Sequence, residues 1–214
     1  EQEELDRVIP VIETLYKQID IPISIDTIKS GVAKEALNAG AAIINDISAF
    51  ENDPAMADLA AQRKVPVVLM HMKGTPETMQ VNPDYKDLMF EITNYLASRA
   101  VYALEKGIKK THIILDPGIG FGKTIEHNLV LINHIEKIAV LGYPVLVGPS
   151  RKSFIQNILA KKENAPVGPD HIKTEYGTLA AVAASILNGA HIVRVHDVEK
   201  LKSFTHIIDS IRNA

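Results

Sequence analysis

The chain has 214 residues, of which 46% are hydrophobic and 23% charged, and its formal net charge is -3 at pH 7. This composition is typical of a folded globular protein, and the weakly acidic balance excludes the basic surface that binding to nucleic acid or an anionic membrane requires. The sequence has no cysteine, which excludes disulfides, thiolate metal sites and a cysteine nucleophile. Because no apolar run reaches the roughly 18 residues of a membrane span and no signal peptide is recognisable, we expect a cytoplasmic protein.

Helices and strands alternate along the chain. A charged helix is predicted over 4–19, and the six short runs that follow it are rich in Ile and Val, as parallel strands covered on both faces are. The strands are predicted at 21–26, 41–46, 65–71, 111–116, 143–150 and 190–196. Helices are predicted at 30–39, 53–62, 84–106, 126–140, 173–188 and 197–212, with a further helix after GPSRKSF (148–154) and a surface loop at 161–170. This order predicts one α/β domain over 1–214, with right-handed crossovers.

The number of elements narrows the fold class. One helix followed by six βα units is too few for a closed (β/α)8 TIM barrel, which needs a strand, a helix and a strand ahead of residue 1. An open arc of six strands would leave two unpaired edges, whereas a doubly wound open sheet tolerates six strands. Polar residues at the ends of all six strands, rather than at one switch point, favour the barrel. We therefore expect an amino-terminally incomplete (β/α)8 barrel that retains its last six βα units and the preceding helix.

Candidate functional side chains stand where the predicted strands end, which is where α/β folds place their active sites. They are Asp26, Asn45, Met70 with His71, Asp116, Ser150 with Arg151 and Lys152, and Arg194 with His196. A single Asp or Asn at such a position often caps the next helix. Six successive strand ends of this kind predict one binding bowl instead. His71 can point into this bowl or into the core, and the sequence leaves both possibilities open.

The last two strand ends are basic. Arg194 and His196 are two residues apart, so on a strand they share a face and suit an anion such as a phosphate. The alternative is a solvated strand end at which Asp197 neutralises Arg194. In GPSRKSF, Lys152 and Ser153 fall near a helix N-terminus, whose N–H groups also attract anions. The spacing of a P-loop is absent.

The segment DPGIGFGK (116–123) is a glycine-rich turn after a strand-terminal carboxylate. It lacks the G-x-G-x-x-G spacing of dinucleotide-binding loops. Glycines there let a flat ligand approach the backbone, Phe121 can lie against that ligand, and the Asp116 carboxylate can accept two donors from an amino-pyrimidine edge. The eight histidines show no zinc-ligand spacing, and there is no G-x-S-x-G motif for a serine nucleophile.

Six segments resemble the dihydropteroate synthase family in their order and spacing, over about residues 1 to 212. They are PISIDT (22–27), AAIINDIS (41–48), VVLMHMKGTPETMQ (67–80), IILDPGIGFGKT (113–124), GYPVLVGPSRKSFI (142–155) and IVRVHDV (192–198). The resemblance implies a (β/α)8 barrel and a transferase of folate biosynthesis that sulfonamides inhibit. It implies condensation of 6-hydroxymethyl-7,8-dihydropterin diphosphate with p-aminobenzoate to give 7,8-dihydropteroate and pyrophosphate. It also implies Mg²⁺ as cofactor and a homodimer that binds small molecules, not nucleic acid or membranes.

The resemblance also implies roles for individual residues. The pterin site would comprise Asp26, Asn45, Asp116 and Lys152, with walls formed by Ile47, Met70, Gly120, Phe121 and Gly148. Arg194 and His196 would bind the diphosphate, while Lys152 and Ser153 would bind p-aminobenzoate. Asp26, Asp116 and Lys152 would be catalytic. The family mechanism is dissociative: pyrophosphate leaves first, and Asp26 and Asp116 would stabilise the dihydropterin cation in a pocket of low dielectric.

This sequence departs from the family pattern at its amino-terminal side. The family's Asn-Val-Thr-Pro-Asp-Ser-Phe and Gly-Glu-Ser-Thr-Arg-Pro-Gly loops are absent, and the expected Mg²⁺ ligand belongs to the first of them, so no metal ligand is predicted within this chain. Two alternatives therefore stay open. One is a catalytically silent pterin-binding fragment. The other is a methyltetrahydrofolate-dependent methyltransferase of the same superfamily, which SRKSF and RVHD disfavour because methyl transfer has no diphosphate to bind.

Overall fold

Helices and strands alternate along the computed structural model, which describes residues 1–75, 78–79 and 83–214. The helices are α1 (Gln2–Tyr16), α2 (Ser30–Ala39), α3 (Ala55–Arg63), α4 (Leu88–Glu105), α5 (Ile125–Asn133), α6 (Glu136–Ala139), α7 (Ser153–Glu163), α8 (Ile172–Leu187) and α9 (Val198–Arg212). The strands are β1 (Ser24–Asp26), β2 (Ile43–Asp46), β3 (Val67–Met70), β4 (Ile113–Asp116), β5 (Leu146–Val147) and β6 (Ile192–Val193). Each predicted strand contains one observed strand.

The chain divides into two units, each with its own parallel sheet. The first unit comprises Glu1–His71 and Asn94–Asp116, and the second comprises Met72–Thr93 and Pro117–Ala214. This division does not test whether residues 1–214 form a single domain, so the single domain stays a prediction. No helix in the described part of the chain is long and apolar enough to cross a membrane.

The first unit is built on a four-stranded sheet in the order β1-β2-β3-β4. Its ladder pairs Asp26 with Asn45, Asn45 with Val68, and Met70 with Asp116. Successive side chains of a strand point to opposite faces, so this register assigns every strand residue to one of two faces. One face carries a buried apolar row of Ile25, Ile44, Val67 and Ile113. The other face carries the polar strand ends.

The second unit combines the β5–β6 pair with helices α5 to α9. Its apolar core includes Val182 and Ile186 of α8, which pack with Leu201 and Ile208 of α9. Within these five helices, α5, α8 and α9 begin with a side-chain cap, at Thr124, His171 and Asp197. Such caps satisfy the free N–H groups of a first turn and fix where these helices begin.

The structure departs from the sequence expectations at several element boundaries. The helix predicted over 126–140 is two helices, because His134 leaves the helical region (φ -129°) and ends α5 before α6 starts. A short 3₁₀ turn at Lys110–His112 precedes β4. The strand predicted over 190–196 contains only Ile192 and Val193, so Arg194 and His196 lie beyond it. Their predicted place on one strand is therefore wrong.

Candidate active site

Four predicted pterin-site residues lie on one face of the first unit's sheet. Asp26 is paired with Asn45 in the ladder, and Met70 with Asp116. Asn45 is also paired with Val68, two residues before Met70, so the alternation of side chains puts all four on the same face. Asn45, Met70 and Asp116 are buried, with Asp116 only 7% exposed. This face therefore presents a buried carboxylate and a buried amide beside an apolar side chain.

Asp26 differs from the other three residues because its side chain is exposed. Its strand, β1, is one of the two edge strands of this sheet, with the pattern exposed, buried, exposed along Ser24, Ile25 and Asp26. The low-dielectric surroundings that we expected for both carboxylates are thus found at Asp116 but not at Asp26. An exposed carboxylate stabilises a nearby positive charge less, because water screens it.

The neighbouring carboxylate, that of Asp46, has a structural role instead. It points to the face opposite Asn45 and is fully buried. Its carboxylate accepts hydrogen bonds from the N–H (2.8 Å) and hydroxyl (2.7 Å) of Ser48 and from the N–H of Phe50 (2.9 Å). Burial raises the pKa of Asp46, and these donors oppose the rise. Asp46 thereby organises the turn that carries Ile47.

This turn contains two consecutive non-glycine residues in the left-handed region, Ala49 (φ 48°) and Phe50 (φ 70°). Residues other than glycine, asparagine and aspartate adopt this region at a cost, so the surroundings must hold them there. Arg99 of α4 does so with a hydrogen bond from its Nε to the carbonyl of Ala49 (2.7 Å). The half-buried Ile47, a predicted pterin wall, is therefore positioned by a turn that is fixed from two sides.

His71 is buried and packs edge-to-face on the ring of Tyr95, with 4.9 Å between centroids. Its backbone N–H donates to the carbonyl of Asp116 at 2.9 Å, so the two strand ends remain paired. Because Tyr95 belongs to α4, the ring of His71 lies against a helix. Of the two possibilities left open by the sequence, this contact favours the core.

In the second unit, the glycine-rich segment has three glycines with positive φ, Gly118, Gly120 and Gly122. The N–H of Gly120 donates to Oδ1 of the buried Asn128 (2.7 Å), whose Nδ2 donates to the carbonyl of Thr124 (2.7 Å). A Cβ at Gly120 would lie 3.0 Å from Cδ of Lys152. Glycine is required there both by its φ of 83° and by this close approach.

Lys152 lies over the half-buried ring of Phe121, with its Nζ 4.1 Å from the ring centroid. The structure thus brings together three predicted pterin-site residues of this unit, Gly120, Phe121 and Lys152. A cation over an aromatic face is an attractive arrangement, and it holds the ammonium group beside the ring. Lys152 is also the residue that precedes α7, and the exposed Ser153 begins that helix, as predicted.

A cavity of about 490 Å³ opens where β5 and β6 end. Its lining includes Gly148, Ser150, Arg151, Lys152, Arg194 and His196. Ser150 Oγ lies 2.9 Å from Nδ1 of His196, which orients the imidazole ring. Arg194 and His196 therefore share a site, although neither lies on a strand. Three side chains that carry a permanent positive charge converge on this cavity, which favours an anionic ligand.

Asp197, which the alternative pairs with Arg194, makes its contacts with Lys200 of its own helix. Asp197 caps α9 by accepting a hydrogen bond from the N–H of Lys200 (3.2 Å), and it pairs with Nζ of Lys200 at 2.6 Å. The hydrogen bond from the Lys200 side chain lowers the pKa of Asp197. The carboxylate is thus engaged within its own helix.

Sequence reasoning missed two residues that shape these sites and gave a third, Arg151, no role. Asn128 fixes Gly120, and its only signal in the sequence is a polar residue in an apolar part of α5. Lys123 is buried and donates from Nζ to the carbonyl of Phe121 at 2.8 Å. Arg151 was recognised at a strand end but received no role. Residues 76–77 and 80–82 of the segment near MKGTPETMQ lie outside the described residues.

The described residues contain no preformed magnesium site. No group of three or more His, Cys, Asp or Glu side chains among them could hold a metal ion. Mg²⁺ favours an octahedral set of oxygen ligands, which these residues do not assemble. The chemistry of the site is therefore derived from its own side chains.

Comparison with known proteins agrees with this geometry. The model of the family described as pterin binding enzyme matches residues 1–196. The dihydropteroate synthase of Synechocystis sp. is 45% identical over 210 residues, which are 98% of this chain and 70% of the relative. A Yersinia pestis dihydropteroate synthase, solved with a sulfonamide drug, superposes on this chain with a TM-score of 0.92 at 39% sequence identity. The superposition covers 100% of this chain and 74% of the Yersinia pestis chain. The dihydropteroate synthase from Xanthomonas albilineans, solved with 7,8-dihydropteroate, superposes with a TM-score of 0.89 at 37% sequence identity. This superposition covers 100% of this chain and 75% of the Xanthomonas albilineans chain.

The chain belongs to the family of pterin-binding enzymes. Its relatives are dihydropteroate synthases, transferases of folate biosynthesis, so the predicted function and enzyme class are confirmed. The predicted fold class is confirmed as well, because the superposition extends over the whole chain: the chain has six βα units and a preceding helix of a (β/α)8 barrel. The assignments of individual site residues stay predictions.

Proposed function

We propose that this chain binds 6-hydroxymethyl-7,8-dihydropterin diphosphate and p-aminobenzoate and catalyses their condensation to 7,8-dihydropteroate and pyrophosphate. The observation that carries the proposal is the shared sheet face of Asn45, Met70 and Asp116, which suits a flat heterocycle with adjacent N–H donors. The relative from Xanthomonas albilineans was solved with 7,8-dihydropteroate, which is the product of this reaction.

Recognition of the pterin rests on complementary donors and acceptors. The buried Asp116 carboxylate accepts two parallel N–H bonds from the amino-pyrimidine edge, and the Asn45 amide supplies both a donor and an acceptor. Met70 contacts the ring as an apolar surface. A pterin that satisfies these buried polar groups gains specificity, because a ligand without the matching donors would leave the carboxylate desolvated and unpaired.

The bond changes follow a dissociative order. The bond between the exocyclic methylene carbon and the diphosphate oxygen breaks, and its electron pair leaves with the diphosphate. The cation left on the dihydropterin is stabilised by the carboxylates of Asp26 and Asp116, of which the buried Asp116 contributes more. The amine of p-aminobenzoate then forms the new C–N bond and loses one proton, a step that needs positioning more than a strong base.

The leaving diphosphate is assigned to Arg194 and His196, whose cavity is the second support for the proposal. Guanidinium and imidazole N–H groups form charge-assisted hydrogen bonds to phosphate oxygens. Lys152 and Ser153, at the start of α7, are assigned to p-aminobenzoate, with Lys152 also contacting the pterin. Mg²⁺ would neutralise part of the diphosphate charge when bound, and no step is assigned to it.

We also propose a homodimer located in the cytoplasm. Helices α8 and α9 carry exposed apolar side chains, namely Ile172, Tyr176, Leu187, Ile207 and Ile211. Exposed apolar groups at this density are typical of a surface that is covered in an oligomer. Light scattering after size exclusion would show a dimer, and Ile207→Lys would shift it to a monomer. A monomeric wild-type chain would contradict the proposal.

The activity is tested by measuring pyrophosphate release with both substrates. The synthase proposal expects release that depends on p-aminobenzoate and is inhibited by sulfonamides, as the drug complex of the Yersinia pestis relative suggests. Pterin binding without any release would favour the catalytically silent fragment. Tight binding of methyltetrahydrofolate without binding of the pterin diphosphate would favour the methyltransferase. A dihydropteroate synthase from a relative serves as the positive control.

A further inference from the structure

The cavity beside β5 and β6 contains an ion pair that the reaction does not require. Arg151 Nη1 lies 2.7 Å from Oδ1 of Asp170, and both residues line the cavity together with Arg194 and His196. Asp170 brings a negative charge into a site that otherwise collects positive charge. An anion and the Asp170 carboxylate therefore require the same kind of partner in the same space.

Arg151 is held firmly through its backbone. It adopts the left-handed conformation (φ 56°), its N–H donates to Thr178 Oγ1 (3.1 Å), and its carbonyl accepts from Gln156 Nε2 (2.8 Å). These contacts tie it to α8 and α7, so its Cα position does not depend on Asp170. A non-glycine residue maintained at positive φ is frequent where a side chain has a functional direction.

The guanidinium group of Arg151 is incompletely satisfied. Its buried Nε has no hydrogen-bond partner among the described residues, and Oε2 of Glu175 lies 3.9 Å from it. Arginine carries five donors in a rigid fork that matches phosphate geometry. A buried donor without a partner costs free energy that a ligand or a small movement of the side chain can recover.

The two acidic residues paired with the Arg151 guanidinium, Asp170 and Glu175, differ in how firmly they are placed, while the nearby Asp197 is paired with Lys200. The side chain of Glu175, in the first turn of α8, is 14% exposed, whereas that of Asp170 is 83% exposed. Asp170 belongs to the loop between α7 and α8, so it can turn into water at little cost. An exposed ion pair contributes little stability and is exchanged readily for a better partner.

We propose that Arg151 is a third ligand of the diphosphate, beside Arg194 and His196, and that Asp170 is its stand-in anion, which the incoming diphosphate displaces. This inference rests on the proposed diphosphate site of Arg194 and His196. A diphosphate carries more charge than one carboxylate and offers several oxygens to the fork of Arg151. Asp170 then sets the affinity of the site: it competes with the substrate's diphosphate and promotes the release of pyrophosphate after the reaction.

Isothermal titration of the intact chain with inorganic pyrophosphate tests this competition. Removal of the competing charge in Asp170→Asn should tighten binding about three- to fivefold at low salt, and the gain should shrink as salt rises. Arg151→Lys keeps one positive charge but loses the fork, so binding should weaken about fivefold. When Asp170→Asn is combined with Arg151→Lys, it should tighten pyrophosphate binding much less than it does alone, because the two residues act on each other.

Glu163→Gln is the matched control, since it removes one negative charge from the same loop region, where Glu163 pairs with Lys173 away from the cavity lining. Equal tightening by Glu163→Gln would attribute the effect to net charge and overturn the proposal. Unchanged or weaker binding by Asp170→Asn, or no detectable binding by either it or the wild type, would overturn it too. Arg194→Gln distinguishes a failure of this inference from a failure of the proposed diphosphate site. If Arg194→Gln leaves pyrophosphate binding unchanged, the diphosphate site itself is wrong. If Arg194→Gln weakens binding but Asp170→Asn does not tighten it, only the role of Asp170 is rejected.

Discussion

The two units of this chain build their binding residues in different ways. In the first unit, Asn45 and Asp116 belong to paired strands, so the backbone ladder fixes their positions and burial fixes their surroundings. In the second unit, Arg194 and His196 follow β6, a strand of only two residues, and both are exposed. One backbone hydrogen bond, from the N–H of Arg194 to the carbonyl of Val147, and the side-chain contact of Ser150 with His196 hold them there. The first arrangement suits a rigid, neutral ring. The second suits a charged group whose attraction is long-ranged and tolerant of small displacements.

This difference predicts that substitutions in the first unit change folding or lose ligand recognition outright. Substitutions in the second unit should instead produce graded, salt-dependent losses of affinity. Screening acts on exposed charges and much less on buried ones.

The largest effect is expected at Asp46, which organises the turn after β2 from a fully buried position. Asp46→Ala leaves the N–H groups of Ser48 and Phe50 without their acceptor, and it should lower the free energy of unfolding by about 3 kcal/mol. Urea denaturation measures this change. Asp170→Asn, in the second unit, is the control and should change the stability by less than about 0.5 kcal/mol. Equal effects of the two variants would remove the contrast.

Asp116→Asn should abolish a pair of charge-assisted hydrogen bonds to the pterin while preserving the shape of the side chain. Pterin affinity should fall by about thirty- to a hundredfold, with a change in melting temperature of only a few degrees. Titration with a pterin that lacks the diphosphate isolates this effect. A large loss of stability with intact pterin binding would make Asp116 a structural residue.

Arg194→Gln should weaken pyrophosphate binding about tenfold at low salt, and less at high salt. The affinity for the unphosphorylated pterin should stay the same, since Arg194 belongs to the anion cavity. Titrations at two salt concentrations measure both. A loss that does not depend on salt would indicate that Arg194 acts through the fold rather than through its charge.

The last effect, on stability more than on affinity, concerns the glycine-rich segment. Gly120→Ala should cost about 1–2 kcal/mol, from positive φ and from the approach of its Cβ to Lys152 at 3.0 Å. Gly107→Ala is the matched control, because Gly107 also has positive φ (90°) but no described atom within 4 Å of its Cβ. Thermal denaturation gives the stability, and pterin titration should reveal a weakened affinity for Gly120→Ala alone. Identical behaviour would mean that the backbone conformation matters and the approach to Lys152 does not.

Much of the first unit could be predicted from the sequence, because short Ile- and Val-rich runs and the polar residue that ends each run are local signals. Asn45 could be distinguished from Asp46 only through register, since a shift by one residue exchanges the two faces of a strand. The exposure of Asp26 could not be predicted, because Asp116 also ends an edge strand and is nevertheless buried. Burial is a property of neighbours that are distant in the sequence.

The second unit was harder to predict for the same reason. The basic pair at Arg194 and His196 signalled an anion, but the position at which β6 ends depends on its pairing with the two residues of β5. The role of Arg151 depends on where the loop after α7 places Asp170, and no local pattern encodes that contact. The role of Asn128 likewise depends on its hydrogen bond with Gly120, which lies eight positions earlier in the chain.

The central claim is that the sheet face of the first unit recognises the pterin ring and that the anion cavity of the second unit recognises a diphosphate. It is tested most directly by titrating the wild type, Asp116→Asn and Arg194→Gln with dihydropterin diphosphate and with the same pterin lacking the diphosphate. The diphosphate should increase the affinity of the wild type and of Asp116→Asn by a similar factor, and this increment should largely disappear in Arg194→Gln. An increment that persists in Arg194→Gln, or one that Asp116→Asn removes, would contradict the account.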